Sequence, residues 1–365
     1  VLVKDSAAFP GIADLPSVER PLEVVLVHGM CTHDEDWADR ASKQLAKAVE
    51  SNVALAPPKT KARAAAVAGR PAVQVVEREA SIQGSSLKMT ALIWSPLTAL
   101  LKMQLDYDTT GSPTDCASDG TRKPTRAWLN GKLKDGLLND CLADALAYQG
   151  ASRTFVQGAM VKALTSVLER VPENAQLVLV SDSLGSKISF DAMSEMLQTA
   201  SPGVRAAITR FGLIFMNANQ LPILGLADQD VGALVAASAS SAHQPSAGEA
   251  VTSRPLPKSL SDFLTQRSKI ADKSTWLVDG RPKLTVVAFT DPNDLLSYRL
   301  LPAYRRTGKD EPAVGVTFAD VLVSNEQTFF GLLERPDTAH RNYLVNNDVA
   351  SAIACGLPKK SPRCH

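Results

Sequence analysis

Gln176-Leu177-Val178-Leu179-Val180-Ser181-Asp182-Ser183-Leu184-Gly185-Ser186 is the stretch whose reading decides the fold. Leu177 to Val180 are apolar and mostly branched, as a buried strand requires, whereas from Gly185 onward Ile188, Phe190, Met193, Met196 and Leu197 recur at roughly helical spacing. The change of period puts a sharp strand-to-helix turn at Ser183. A serine there projects its hydroxyl above a sheet, and the amide of Leu184, at the helix start, points into the same space with no intrahelical acceptor.

Three other segments bear on that turn. Leu22-Glu23-Val24-Val25-Leu26-Val27 reads as a buried strand ending at His28-Gly29-Met30, followed by an acidic first turn, Asp34-Glu35-Asp36, and a helix marked by Trp37, Ala41, Leu45, Ala46 and Val49. Gly29 lets the backbone pass close to its neighbours. His28 reads as a structural group fixing this loop by hydrogen bonds, and His33 as a surface-loop histidine, with a place at the site as its alternative. Lys283 to Thr290 is strongly strand-like and ends in Asp291-Pro292-Asn293-Asp294. Further on, His340 stands in a late loop ahead of a helical run from Val345 to Cys355.

Ser181-x-Ser183-x-Gly185 resembles the nucleophile elbow of the α/β-hydrolase superfamily, usually Gly-x-Ser-x-Gly, with Ser181 standing for the first glycine. The His-Gly pair at 28–29 is similar to the loop that supplies an oxyanion amide in that family. The order Ser183, Asp294, His340 is the family's order of nucleophile, acid and base. The resemblance implies an α/β-hydrolase fold: a mostly parallel central sheet flanked by helices, with a mainly helical or irregular cap insertion. It implies catalytic Ser183, Asp294 and His340, with an oxyanion hole from the Met30 and Leu184 amides. Asp291 is the alternative acid, since an aspartate ahead of proline also pins turns.

The remaining strands are Val73 to Val76, Met89 to Trp94, Phe211 to Met216, and Val314 to Phe318 with Val321 to Val323 as one last strand or a pair of short ones. Helices are expected over Leu97 to Leu105, Trp128 to Ala147, and Thr154 to Leu168. Residues 1–21 are an irregular lead-in, 22–227 and 284–356 the core with an excursion over about 106–150, 228–283 a cap or lid insertion rich in Ala, Ser, Gly and Pro, and 357–365 a tail. Leu221, Ile223 and Leu224 beyond one strand, and Phe263 and Leu264 on a cap helix, are the candidate substrate-pocket residues.

Composition narrows the function classes. The chain of 365 residues is 45% hydrophobic and 21% charged, with a net charge of +1, the balance of a globular protein. Its Lys and Arg are scattered, so no broad basic stripe points to nucleic acid. No run is long and apolar enough for a membrane span, and the first residues do not read as a signal peptide. No phosphate-binding Gly-x-x-x-x-Gly-Lys-Ser/Thr or dinucleotide fingerprint occurs, and the cysteines lack zinc-site spacing, so neither cofactor nor metal is expected.

The five cysteines are Cys31, Cys116, Cys141, Cys355 and Cys364. Cys355 and Cys364 bracket a polar loop that a disulfide would tie down, and Cys116 and Cys141 flank the irregular excursion and would form a second, leaving Cys31 over. Such pairing favours a periplasmic or secreted location, and five thiols a cytoplasmic one. The function expected is a serine esterase or lipase acting on a small-molecule or lipid ester. The alternatives are a thioesterase or lipid acyltransferase with the same residues, and a non-catalytic binding protein on the same scaffold.

Overall fold

The computed structural model describes residues 8–15, 20–49, 63–64, 71–82, 85–112, 126–240, 256–270, 277–278, 281–282, 284–300, 315–326, 328 and 334–358. Eight strands form its main sheet: β1 (Leu22–Val27), β2 (Arg63–Ala64), β3 (Gln74–Ile82), β4 (Ser85–Ile93), β5 (Gln176–Asp182), β6 (Phe211–Asn217), β7 (Leu284–Thr290) and β8 (Val316–Leu322). Their spatial order is β8-β7-β6-β5-β1-β4-β3-β2. The six from β8 to β4 run parallel, and β3 and β2 add antiparallel at one edge. This is the topology of the α/β-hydrolase fold as expected, with one local difference. The second and third expected strands lengthen into a β3–β4 antiparallel pair; the final run is the single strand β8, one of the two arrangements expected there.

Alternation along each strand divides the core into two layers. Val25, Val27, Leu177, Leu179, Ile214, Met216, Val286 and Ala288 point to one face, and Val24, Leu26, Val178, Val180, Leu213, Phe215, Val287 and Phe289 to the other. Strands covered on both sides read as continuous apolar runs, because both phases of the two-residue period are buried. The first face is covered by α2 (Arg153–Leu168), α3 (Leu184–Thr199) and α4 (Lys258–Ile270). The second is covered by α1 (Glu35–Val49) and α5 (Asn347–Cys355), with Phe9 and Ile12.

Register brings the functional loops to one edge. Val27 lies opposite Ser181, Ser181 opposite Met216, and Met216 opposite Ala288. The chain therefore leaves β1, β5, β6 and β7 side by side at the carboxyl ends of the strands, where open α/β sheets bind ligands.

The segment around 128–149 is one continuous run of Trp128–Leu133, a wider-wound turn over Lys134–Leu142, and Ala143–Gln149. The expected helix at 97–105 is a chain of short turns, and Leu100 and Met103 stand exposed on it. Among the described residues no helix is long and apolar enough to cross a membrane.

The cysteine pairing differs from expectation. Cys141 is joined to Cys31 across 110 residues, so Cys31 is not the cysteine left over, and a bridge from Cys141 to Cys116 is ruled out. The reason is tertiary: the loop after β1 packs against the helical run at 134–149, which brings Cys31 to Cys141. Cys355 is also disulfide-bonded; Cys364, its expected partner, and Cys116 lie outside the described residues.

Candidate functional site

The turn after β5 is backbone-strained. Ser183 has φ 52° and ψ −125°, a left-handed region that costs an L-residue about 1–3 kcal/mol. The conformation is held from both sides. The Ser183 amide donates to the Asn217 carbonyl at 2.7 Å, and the Ser183 carbonyl accepts from Ser186 at 3.1 Å.

Close approach explains two glycines. A Cβ on Gly185 would collide with the His28 carbonyl, and one on Gly29 would lie 2.7 Å from the Ser183 Cβ. The loop after β1 is thus pressed onto the turn after β5. Ser181 is fully buried where the family pattern has glycine; its hydroxyl donates to the Phe215 carbonyl at 3.3 Å and lies 2.9 Å from the Ser186 hydroxyl. Both hydroxyls are satisfied, which is how a serine fits there.

His340 reaches this turn from the short helix Pro336–Arg341. Its Nε2 lies 3.1 Å from Ser183 Oγ, and its Nδ1 lies 2.9 and 3.0 Å from the two carboxylate oxygens of Asp294. A carboxylate only accepts, so Nδ1 carries the proton and Nε2 is left to accept from the Ser183 hydroxyl. All three groups are buried.

The two aspartates after β7 divide their tasks. Asp291 accepts from the Asn293 amide at 2.9 Å with one oxygen and from the Asn325 amide at 2.6 Å with the other. Asp294 accepts from the Leu296 amide at 3.0 Å and from the Tyr343 hydroxyl at 3.1 Å, and still presents both oxygens to His340. Tyr343 also accepts from the Asp291 amide at 2.7 Å. Burial and the neighbouring Asp294 push the Tyr343 phenol well above its ordinary pKa, so it stays a donor.

The loop after β1 is fastened at long range. His28 donates from Nδ1 to the Gly29 carbonyl at 2.8 Å and accepts at Nε2 from the Trp94 amide at 2.8 Å and the Ser95 amide at 3.2 Å. Its ring lies between those of His33 and Trp94, and burial holds its pKa far down, so it is a neutral structural group as read from the sequence. The Cys31 amide donates to Asp144 at 2.9 Å and the Thr32 amide to Asp140 at 3.1 Å, while Lys102 bridges both carboxylates. Cys31, Asp140 and Cys141 bring metal-ligating atoms close together, but both sulfurs are tied up in the disulfide.

A shallow, open depression lies over Ser183, lined by Gly29, Met30, His33, Asp182, Ser183, His340, Arg341 and Tyr343. The Met30 residue expected at the site is thus in the wall, and Leu184 sits directly behind Ser183 at the start of α3. Asp182 accepts from the Asn217 side-chain amide at 2.8 Å, and burial raises its pKa to about 6, opposed by Asn217 and His340.

The apolar residues expected in the pocket are elsewhere. Leu221, Leu224, Phe263 and Leu264 are buried in the core on the α3 side of the sheet, with Ile223 packed against it. Phe263 lies 5.3 Å from the Phe190 ring, because α4 runs along α3 instead of over Ser183. Conversely, the sequence does not single out Asp182, Arg341 or Tyr343, and for His33 it favours the surface over the site, whose wall His33 in fact joins. Asp182 and Arg341 each adjoin an expected site residue, and that adjacency was the available signal.

No protein-family model matches this chain, and no curated protein matches it in sequence.

Proposed function

We propose that this chain is a serine carboxylic-ester hydrolase working through an acyl-enzyme on Ser183. The observation that carries the reading is the continuous hydrogen-bond chain Ser183–His340–Asp294 at a strained strand-to-helix turn. In this reading His340 Nε2 takes the Ser183 proton as Oγ attacks the ester carbonyl, then gives it to the departing alcohol. Asp294 holds the Nδ1–H tautomer and stabilises the imidazolium. Water, deprotonated by the same nitrogen, attacks the acyl carbon and releases the acid.

The amides of Met30 and Leu184 are the proposed donors to the oxyanion of the tetrahedral intermediate. Support comes from position: neither amide has a hydrogen-bond acceptor among the described residues, and the loop carrying Met30 is pressed against Ser183. The Cys31–Cys141 disulfide favours an oxidising, extracytoplasmic compartment.

Intact-mass labelling with a fluorophosphonate, together with turnover of p-nitrophenyl acetate, tests this. The expected result is one adduct, absent in Ser183→Ala, with turnover lowered by about 10⁴-fold or more. A folded native chain that takes no adduct and turns over no ester overturns the reading and favours a binding role for the scaffold.

A further inference from the structure

Two groups in the wall beside Ser183 have no part in the chemistry just described. Asp182 uses one carboxylate oxygen to accept from Asn217; its other oxygen has no hydrogen-bond partner among the described residues and is not sealed from solvent. His33 lies 3.0 Å through Nδ1 from the Cys31 carbonyl. A carbonyl only accepts, so the proton sits on Nδ1. Burial lowers the His33 pKa, with nearby Arg341 and Lys102 adding to the effect, so the ring is neutral and Nε2 offers a lone pair. That nitrogen, too, has no partner among the described residues and is open.

Asp182 and His33, each with an unpaired acceptor, therefore line the same small depression as Ser183. Of the rest of the wall, Met30 is apolar, the Tyr343 hydroxyl donates to Asp294, and the Arg341 guanidinium makes no hydrogen bond to either acceptor. The large apolar residues that a long acyl chain would need lie in the core. With Asp182 titrating near 6, its carboxylate is ionised at neutral pH and accepts strongly.

We propose that the substrate is a small polar ester bearing hydrogen-bond donors, a hydroxyl or an ammonium, on the carbon next to the ester group, received by Asp182 and His33. The inference rests on the serine-hydrolase reading and specifies its substrate class. Acceptors without donors recognise ligands by the donors they bring, and a ligand lacking them leaves the desolvated acceptors unpaired.

The test is pH-stat hydrolysis of ethyl acetate, ethyl glycolate, ethyl glycinate and monoethyl succinate at neutral pH, with Ser183 labelling measured on each preparation. Because the hydroxyl and ammonium also activate an ester chemically, the quantity read is each ester's kcat/KM relative to ethyl acetate, compared between native protein and variants. The native ratio for glycolate and glycinate is expected to exceed that of Asp182→Ala by about tenfold or more. Asp182→Asn, which keeps an acceptor but no charge, should lose the glycinate preference and keep that for glycolate if hydroxyl donors are the ones received. His33→Phe should reduce both.

Ratios equal in native and Asp182→Ala overturn the inference, as does a preference for the anionic succinate, which would hand the site to Arg341. Absence of Ser183 labelling in the native protein instead overturns the hydrolase reading itself.

Discussion

The loop leaving β1 and the turn leaving β7 flank the same serine, and they are secured in opposite ways. The loop at 28–33 is fastened by residues 62 to 113 positions away: Trp94, Ser95, Asp140, Cys141 and Asp144. The turn at 291–297 is shaped mainly by itself. Asp291 accepts from Asn293 and Asp294 from Leu296, each two residues on, the reach of an aspartate folding its own backbone. Asp291 gives its second oxygen to the Asn325 amide, whereas Asp294 turns both toward His340. A locally shaped turn delivers a side chain whose role is set by which face it leaves open; a loop fastened from afar delivers its backbone.

That contrast breaks first at Asp294. Replacing Asp294 by Asn should lower kcat for a p-nitrophenyl ester by about 10⁴-fold with the fold intact by circular dichroism, because an amide favours the wrong imidazole tautomer. If Asp291→Asn costs more activity than Asp294→Asn, the division of tasks between the two acids is reversed.

The long-range fastening predicts the next largest effect. A Cys31→Ser, Cys141→Ser double variant should lose about 2–4 kcal/mol of unfolding free energy in urea, and its kcat should fall while Ser183 labelling stays confined to one site. A stability change within error would mean that the Asp140 and Asp144 contacts alone hold the loop.

Asp182 gives a pH signature between the two regions. Its folded pKa, about 6, is raised above the ordinary carboxylate value, so the folded state holds this proton more tightly than the unfolded chain. The resulting stabilisation is complete below about pH 4 and lost as pH rises through about 6. The titratable groups around it are His340 across the turn and His33 in the same wall, and Arg341 is the cation of that wall. Relative to native, Asp182→Asn should therefore gain up to about 2–3 kcal/mol between pH 4 and pH 7, read from paired urea titrations. A difference independent of pH would place the carboxyl in open solvent.

Asp291→Asn should show the smallest effect, about 1–2 kcal/mol of stability. One amide NH₂ would then meet a backbone donor at Asn293 or Asn325. Activity should change by only a few fold, and a larger loss would mean that the turn transmits strain to Asp294.

Reading forward from the sequence, period and turn chemistry are local, and they carried far. The switch from strand to helix at Ser183, the apolar runs of β1, β5, β6 and β7, and the turn at 291–294 depend on residues within a few positions of one another, so the fold class and the order Ser183, Asp294, His340 are written along the chain. Partner choice is not local. Two aspartates three residues apart look alike until Asn325 and Tyr343 approach from other elements and engage them differently. Cys141 is nearer in sequence to Cys116 than to Cys31, yet packing of the loop after β1 on the helical run at 134–149 selects Cys31. Phe263 and Leu264 are as apolar as a substrate pocket would want, and only the path of α4 along α3 sends them into the core, leaving His33 and Asp182 among the residues that line the space above Ser183.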